Sequence, residues 1–152
     1  MAGKKILIVD DNKHIRLLVR ATLKVRDYEV VEAEDGEAGI ETAVAERPDL
    51  VLLDVMMPKM DGFEVLRLLR KRPETKDVPI VMLTTLAHES DQIKGWGGGV
   101  NDYVTKPFNP AALLEVIERC LSAGGSASRE SQIQKLQILR QIKSDKDDAS
   151  GD

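Results

Sequence analysis

Four hydrophobic runs in this sequence are each followed at once by a side chain that could do chemistry. They end before two aspartates, a single aspartate, a threonine and a lysine, which are Asp10 and Asp11, Asp54, Thr84, and Lys106. In an open parallel sheet, ligands bind just beyond the carboxyl ends of the strands. If the runs are strands of such a sheet, we expect three carboxylates, a hydroxyl and an ammonium to meet at one edge.

These groups together could support phosphoryl transfer. Three aspartates brought close together repel one another, and a hard divalent cation such as Mg²⁺ would relieve that repulsion. Asp54, at the end of the third run, could instead act as a nucleophile and form an acyl phosphate. Lys106 and Thr84 would then bind the phosphoryl oxygens by charge and by hydroxyl donation. The sequence therefore offers every group that phosphoryl transfer to a carboxylate needs: ligands for a metal ion, a nucleophile, a cation and a hydroxyl.

The first run is not followed by a glycine-rich loop. A dinucleotide or P-loop nucleotide would need one there, because such loops bring backbone amides close to phosphates. The phosphate must therefore arrive on a small donor or on another protein.

Alternating strands and helices are predicted to position these groups. The predicted strands are Lys5–Val9, Val30–Ala33, Leu50–Leu53, Pro79–Leu83 and Asp102–Thr105. Apolar residues at helical spacing predict helices between them, around residues 15–23, 37–46 and 62–71, weakly at 90–97, and from Asn109-Pro110 onward. Strands two to four look like continuous apolar runs, which is typical of a parallel sheet covered on both faces.

Composition narrows the class of protein. The net charge of −4 argues against a nucleic-acid-binding surface as the main function. No apolar run approaches the roughly 18 residues of a membrane span, so no membrane association is expected. The single cysteine, Cys120, cannot form an intrachain disulfide, and no signal-peptide pattern is present. These features predict a cytoplasmic protein.

Three segments carry a family resemblance, namely Ile6–Asn12, Leu50–Gly62 and Asp102–Phe108. With their spacing, they resemble response-regulator receiver domains over roughly residues 4–121, of the stand-alone chemotaxis type. The resemblance implies an α/β, flavodoxin-like (βα)5 doubly wound parallel sheet in strand order 2-1-3-4-5. Two helices would cover one face and three the other.

The resemblance also implies roles for the acidic residues. Asp54 would be the phospho-acceptor. Asp11 and Asp54 would ligate Mg²⁺ together with the backbone carbonyl of Met56, and Asp10 would contribute through a water molecule. Lys106 would bind the phosphoryl group.

A conformational switch is implied as well. Thr84 would bind the phosphoryl group beside Lys106, and Tyr103 would turn inward when Thr84 moves. The peptide bond between Lys106 and Pro107 would be cis. Thr85 follows Thr84 where the family more often has alanine, and its branched hydroxyl side chain would restrict Tyr103.

Function and partners follow from the same resemblance. The chain would be the phospho-accepting receiver of a two-component system, taking its phosphoryl group from a histidine kinase or a histidine phosphotransfer protein. It would switch the face formed by helix four, strand five and helix five toward an unknown output protein. It would not be an enzyme, beyond catalysing its own phosphorylation and dephosphorylation.

Two alternatives remain open at this stage. One is an aspartyl-phosphate phosphatase-like enzyme, whose DxD pattern at strand one is not matched because residue 12 is asparagine. The other is a pseudo-receiver that acts without phosphorylation, although no acid and no lysine has been lost here.

The domain organisation is predicted as a receiver at residues 1–122 followed by three short segments. These are a Gly/Ser linker at 123–128, a short amphipathic helix at 129–143, and a disordered tail at 144–152. An isolated helix this short is marginal in water, so it should be stabilised by self-association or partner docking.

Overall fold

A single five-stranded parallel sheet organises the chain. The computed structural model describes residues 3–85 and 99–123, and its strand order is β2-β1-β3-β4-β5, as predicted. The elements are β1 Lys5–Val9, α1 Lys13–Lys24, β2 Glu29–Ala33, α2 Gly36–Glu46, β3 Leu50–Asp54, α3 Gly62–Lys71, β4 Ile80–Thr84, β5 Asp102–Thr105 and α4 Pro110–Ala123. None of the helices within these described ranges has the length and apolar character that a membrane span requires.

Several predictions fall on parts of the chain outside the described residues. They are the helix at 90–97, nearly all of the Gly/Ser linker at 123–128, the amphipathic helix at 129–143 and the tail at 144–152. The helix α4 is therefore the fifth helix in the predicted order. It continues through Ala123, the first residue of the predicted linker.

The sheet separates two aliphatic layers. On one face α2 and α3 pack their buried side chains, Ile40, Ala43, Val65, Leu66 and Leu69, against β1, β3 and β4. On the other face α1 and α4 pack Val19, Leu23, Leu113, Leu114, Ile117 and Cys120. Two described helices thus cover each face. Cys120 is a small buried core residue, as its position on the apolar face of α4 predicts.

The edge strand β2 differs from the sequence-based interpretation. All five residues of β3 and of β4 are buried, but β2 exposes Glu29 and Glu32 and only half buries Val30 and Val31. The prediction that strand two is covered on both faces is therefore wrong. Its position at the end of the sheet leaves it with one neighbouring strand and less cover from helices.

Helix α1 begins directly after the first acidic pair. The side chain of Asn12 caps it by accepting hydrogen bonds from the backbone amides of His14 and Ile15 at 2.9 and 3.3 Å. Val19 and Leu23 are fully buried, but Leu18 is 50% exposed. Leu18 falls at helical spacing with the other apolar residues of this stretch, which predicts a core position for it. That prediction is wrong because Leu18 lies at the edge of the apolar stripe.

A strained turn joins β3 to α3. Lys59 has φ of 70°, and the amide of Met60 donates to the carbonyl of Pro58 at 2.8 Å, which closes a γ-turn around it. A left-handed conformation costs a side-chain-bearing residue roughly 1–2 kcal/mol. We expect Lys59→Gly to raise the free energy of unfolding by about 1 kcal/mol, measured by urea denaturation. Lys59→Ala keeps the Cβ and should give no gain, and an equal gain in both variants would exclude strain as the cause.

Candidate functional site

The register of the sheet brings the predicted reactive residues to one edge. Val9 is aligned with Leu53 across β1 and β3, and Thr84 is aligned with Thr105 across β4 and β5. Asp10 and Asp54, which follow the first pair, therefore leave the sheet at the same level. Lys106 follows the second pair, two residues further along the sheet, and its long side chain reaches back to both carboxylates. Asp10 comes after β1, Asp54 ends β3 and Lys106 comes after β5. The predicted convergence is confirmed for these three side chains.

A lysine lies between two buried carboxylates at this edge. The Nζ atom of Lys106 is 2.9 Å from Oδ2 of Asp10 and 3.3 Å from Oδ1 of Asp54. Asp10 is 1% exposed and Asp54 is 5% exposed. Two buried negative charges thus share one cation, and the group carries a net negative charge that a ligand could neutralise.

The third carboxylate completes a group of oxygens suited to a hard cation. Carboxylate oxygens of Asp10, Asp11 and Asp54 all lie within 4.8 Å of one another, and Asp11 is exposed. They line a solvent-open cavity of about 230 Å³, whose wall is formed by Asp10, Asp11, Asn12, Asp54, Met56, Thr85 and Lys106. Mg²⁺ takes one or two carboxylates and keeps several waters, so an open cavity with these oxygens fits it.

Electrostatics distinguish Asp54 from an ordinary surface acid. Burial, and after it the charge of Asp10, raises the pKa of Asp54 to about 6, against the opposing effects of Lys106 and of the Met56 amide, which donates to Asp54. Burial lowers the pKa of the Lys106 ammonium, but its hydrogen bonds to Asp10 and Asp54 and their charges outweigh that effect and raise it. The site therefore favours a protonated lysine and a carboxylate that would be stabilised by a further cation.

The backbone after β1 is fixed by two hydrogen bonds. The amide of Asn12 donates to Oδ1 of Asp10 at 2.9 Å, and Nη1 of Arg16 donates to the carbonyl oxygen of Asp10 at 2.7 Å. Sequence analysis did not single out Arg16, which lies two residues past His14 on α1. An arginine at the end of the first turn of a helix carries no pattern that marks it as part of a site.

The two threonines at the end of β4 differ in their surroundings. Thr84 is fully buried, whereas Thr85 is exposed and lines the cavity. Tyr103 on β5 is partly buried against the layer formed with α2 and α3. The peptide bond between Lys106 and Pro107 is cis, as the family resemblance implies. Sequence analysis treated Thr85 as a neighbour of the switch and did not place it at the cavity.

This sequence matches the response regulator family and curated proteins that are named as transcriptional regulators. The sequence matches the family model for the response regulator receiver domain over residues 6–118. It is 40% identical over 134 residues to the phosphate regulon transcriptional regulatory protein PhoB of Pseudomonas aeruginosa, covering 88% of this chain and 58% of that protein. It is 43% identical over 117 residues to the DNA-binding dual master transcriptional regulator RpaA of Synechocystis sp., covering 77% and 48%. The chain spans about half the length of the curated relatives it matches.

Solved structures agree with the fold. The chemotaxis protein CheY4 of Vibrio cholerae superposes with a TM-score of 0.74 and 39% identity, over 78% of this chain and 98% of that one. A putative response regulator from Chloroflexus aurantiacus gives a TM-score of 0.75 and 34% identity, over 79% and 98%.

Proposed function

This chain belongs to the response regulator receiver family, and we propose that it signals by accepting a phosphoryl group on Asp54. A receiver is a phospho-accepting module of two-component signal transduction. The observation that carries the assignment to Asp54 is the position of its buried carboxylate, 3.3 Å from the Lys106 ammonium at the wall of an open acidic cavity. The pKa of Asp54 is also raised, which means that its surroundings favour a form in which its negative charge is neutralised.

The transfer step is a displacement at phosphorus. A carboxylate oxygen of Asp54 forms a bond to phosphorus, and the bond from phosphorus to the donor nitrogen or oxygen breaks, so the leaving group departs with its electron pair. Lys106 neutralises charge on the phosphoryl oxygens. The hydroxyl of Thr84 donates a hydrogen bond to a phosphoryl oxygen, which requires the buried Thr84 side chain to turn toward the cavity.

The acidic residues are proposed to hold a divalent cation. Asp11 and Asp54 would bind Mg²⁺ directly with the backbone carbonyl of Met56, and Asp10 would contribute through a water molecule. When bound, the cation would supply charge neutralisation at the phosphoryl oxygens. These carboxylates line the cavity and would hold the cation at its wall.

The same residues would catalyse both halves of the cycle. Phosphorylation needs only a donor and the groups described, and a water molecule attacking phosphorus would regenerate the Asp54 carboxylate. We propose a histidine kinase or histidine phosphotransfer protein as the donor. The domain thus acts as a signalling module that processes its own phosphoryl group and turns over no separate substrate.

Output would depend on a bistable region. The phosphoryl group adds about −1.5 to −2 charges, and Thr84 and Tyr103 would transmit that change to the face formed by β5, α4 and the predicted helix at 90–97. The net charge of −4 disfavours binding to nucleic acid, which is itself negatively charged. We therefore propose a protein as the output partner. The relatives PhoB and RpaA are named as regulators of transcription, and both proteins are longer than this chain.

The phosphatase-like alternative is not favoured. That chemistry uses the first acid of a DxD pattern after strand one, and Asn12 occupies the position of the second acid. Asp10, which would be the nucleophile, is bound to Lys106 and to the Asn12 amide. Treating the protein with a small acyl phosphate and mapping the trapped phospho-aspartate by mass spectrometry tests the proposal directly. A label on Asp10 would overturn it.

The metal site yields a separate expectation. Asp11→Ala removes an exposed ligand without disturbing the core, so folding should be unchanged. Mg²⁺ affinity should fall by at least about tenfold, and phosphorylation by a small acyl phosphate should be lost. Isothermal titration with MgCl₂ measures the first effect and labelling the second. Glu37→Ala, which removes an exposed carboxylate in the first turn of α2, is the control. Undiminished Mg²⁺ binding by Asp11→Ala would contradict the assignment.

A further inference from the structure

One arginine connects the acidic loop to the edge of the sheet. Nη1 of Arg16 donates to the carbonyl oxygen of Asp10 at 2.7 Å, and Nε donates to Oε1 of Glu32 at 3.2 Å. Its side chain is only 14% exposed, against 29% for Glu32. Arg16 lies on α1 and Glu32 on β2, so a single guanidinium joins a helix, an edge strand and the loop after β1.

The accepting carbonyl belongs to the peptide group between Asp10 and Asp11. Holding that oxygen fixes the plane of the peptide, and the plane sets the direction in which the Asp11 side chain leaves the backbone. The Asn12 amide bond to Oδ1 of Asp10 fixes the same loop from its other side. Asp11 is exposed, so no surrounding core packing holds its carboxylate in place.

Glu32 in turn keeps the guanidinium in position. Its second carboxylate oxygen accepts hydrogen bonds from Nε and Nη2 of Arg20, at 2.8 and 2.6 Å. Arg20 lies one turn further along α1 and, among its hydrogen bonds to described residues, contacts Glu32 and not the Asp10 backbone. Arg16 and Arg20 therefore share a partner and a charge but differ in whether they reach the acidic loop.

We propose that Arg16 is a positioning residue for the divalent-cation site, acting through the Asp10–Asp11 peptide group to aim the Asp11 carboxylate. The inference rests on the proposed function, since it concerns the same metal site. Residues that orient metal ligands from outside the ligand set typically change affinity by about 10–100-fold when they are replaced.

Charge and positioning predict opposite effects for this residue. A guanidinium near the cavity repels a divalent cation, so a purely electrostatic role would make Mg²⁺ bind more tightly when Arg16 is replaced. A positioning role makes Mg²⁺ bind more weakly. The sign of the change in affinity therefore separates the two explanations.

The test compares three variants of the full chain by isothermal titration with MgCl₂. Arg16→Met should weaken Mg²⁺ binding about tenfold. Arg16→Lys keeps the charge but reaches one acceptor instead of two, so its loss should be about threefold. Arg20→Met loses the same charge without touching the loop and should stay within about twofold of wild type. Urea denaturation of each variant checks that folding is retained.

A second measurement needs no metal. Hydrogen exchange of the Asn12 amide, followed by NMR in metal-free protein, should be faster in Arg16→Met because the loop that carries its acceptor is released. It should be unchanged in Arg20→Met. Equal exchange in wild type and Arg16→Met would overturn the inference even if Mg²⁺ affinity fell.

The remaining outcomes separate the inference from its premise. If wild type binds Mg²⁺ and Arg16→Met binds it equally or more tightly, the inference is wrong and the metal site stands. If Arg20→Met loses as much affinity as Arg16→Met, the contact to the Asp10 carbonyl is not the cause and the inference is wrong. If wild type itself binds no Mg²⁺, the metal part of the proposed function is wrong and the inference is wrong with it.

Discussion

Asp54→Asn is expected to abolish phosphorylation while making the metal-free domain more stable. The amide cannot attack phosphorus, so labelling by a small acyl phosphate should fall to background. It also carries no charge, and it removes a buried carboxylate whose pKa is raised to about 6 by burial and by Asp10. We expect the free energy of unfolding to rise by about 1–2 kcal/mol near neutral pH, after allowance for solvent screening.

The stability gain should depend on pH with a defined sign. The pKa of Asp54 is higher in the folded state than in the unfolded state. The folded wild-type protein therefore binds a proton on the Asp54 carboxyl more readily than the unfolded chain does. Its stability therefore falls as pH rises from about 4 to about 6. The advantage of Asp54→Asn should be full above that window and should disappear below about pH 4, where Asp54 is neutral in both states.

The measurement is urea denaturation of both proteins across this pH range in the presence of a chelator. Glu41→Gln, which neutralises an exposed carboxylate on α2, is the control and should show no such gain. A constant difference between Asp54→Asn and wild type at all pH values would exclude the raised pKa as the cause. Persistent labelling of Asp54→Asn at one other aspartate would contradict the proposed acceptor.

Much of the fold was predictable because its determinants are local in sequence. A buried parallel strand is typically a continuous apolar run, and β3 and β4 are apolar up to their last residues, Asp54 and Thr84. Each described helix also begins after an asparagine or aspartate that caps it. Asn109 caps α4 by accepting hydrogen bonds from the Ala111 and Ala112 amides. Reactive residues directly after such strands must then converge, which is why Asp10, Asp54 and Lys106 could be placed together.

Other features depend on contacts between distant segments and leave no local pattern. The pairing of Arg16 with Glu32 requires α1 to lie against β2, which neither segment specifies alone. Thr84 and Thr85 are adjacent and of the same type, but side chains at a strand end alternate in direction, and in this structure Thr85 lines the cavity while Thr84 is buried. The exposure of β2 likewise follows from its place at the edge of the sheet.

The first residue of α3 supports the site by its lack of a side chain. The amide of Gly62 donates to the carbonyl of Val55 at 2.9 Å, which holds α3 close to the segment after β3. A Cβ at Gly62 would overlap the carbonyl oxygen of Asp54 and lie 2.8 Å from Cα of Val55. All of these neighbours are backbone atoms, so they cannot make room by a change of rotamer.

Gly62→Ala is therefore expected to lower the free energy of unfolding by about 3 kcal/mol, near the upper end of overpacking costs. It should also weaken Mg²⁺ binding about tenfold, because the backbone that carries Asp54 must shift. Gly39→Ala is the matched control, since a Cβ there meets only side-chain carbons of Val9, at 2.8 and 2.9 Å. Val9 is fully buried, so the gain in helix propensity of about 1 kcal/mol should offset only part of that contact, and Gly39→Ala should lose less stability than Gly62→Ala. If Gly62→Ala were as stable as Gly39→Ala, the close approach of α3 would be wrong. If it were unstable yet bound Mg²⁺ normally, Gly62 would serve packing alone.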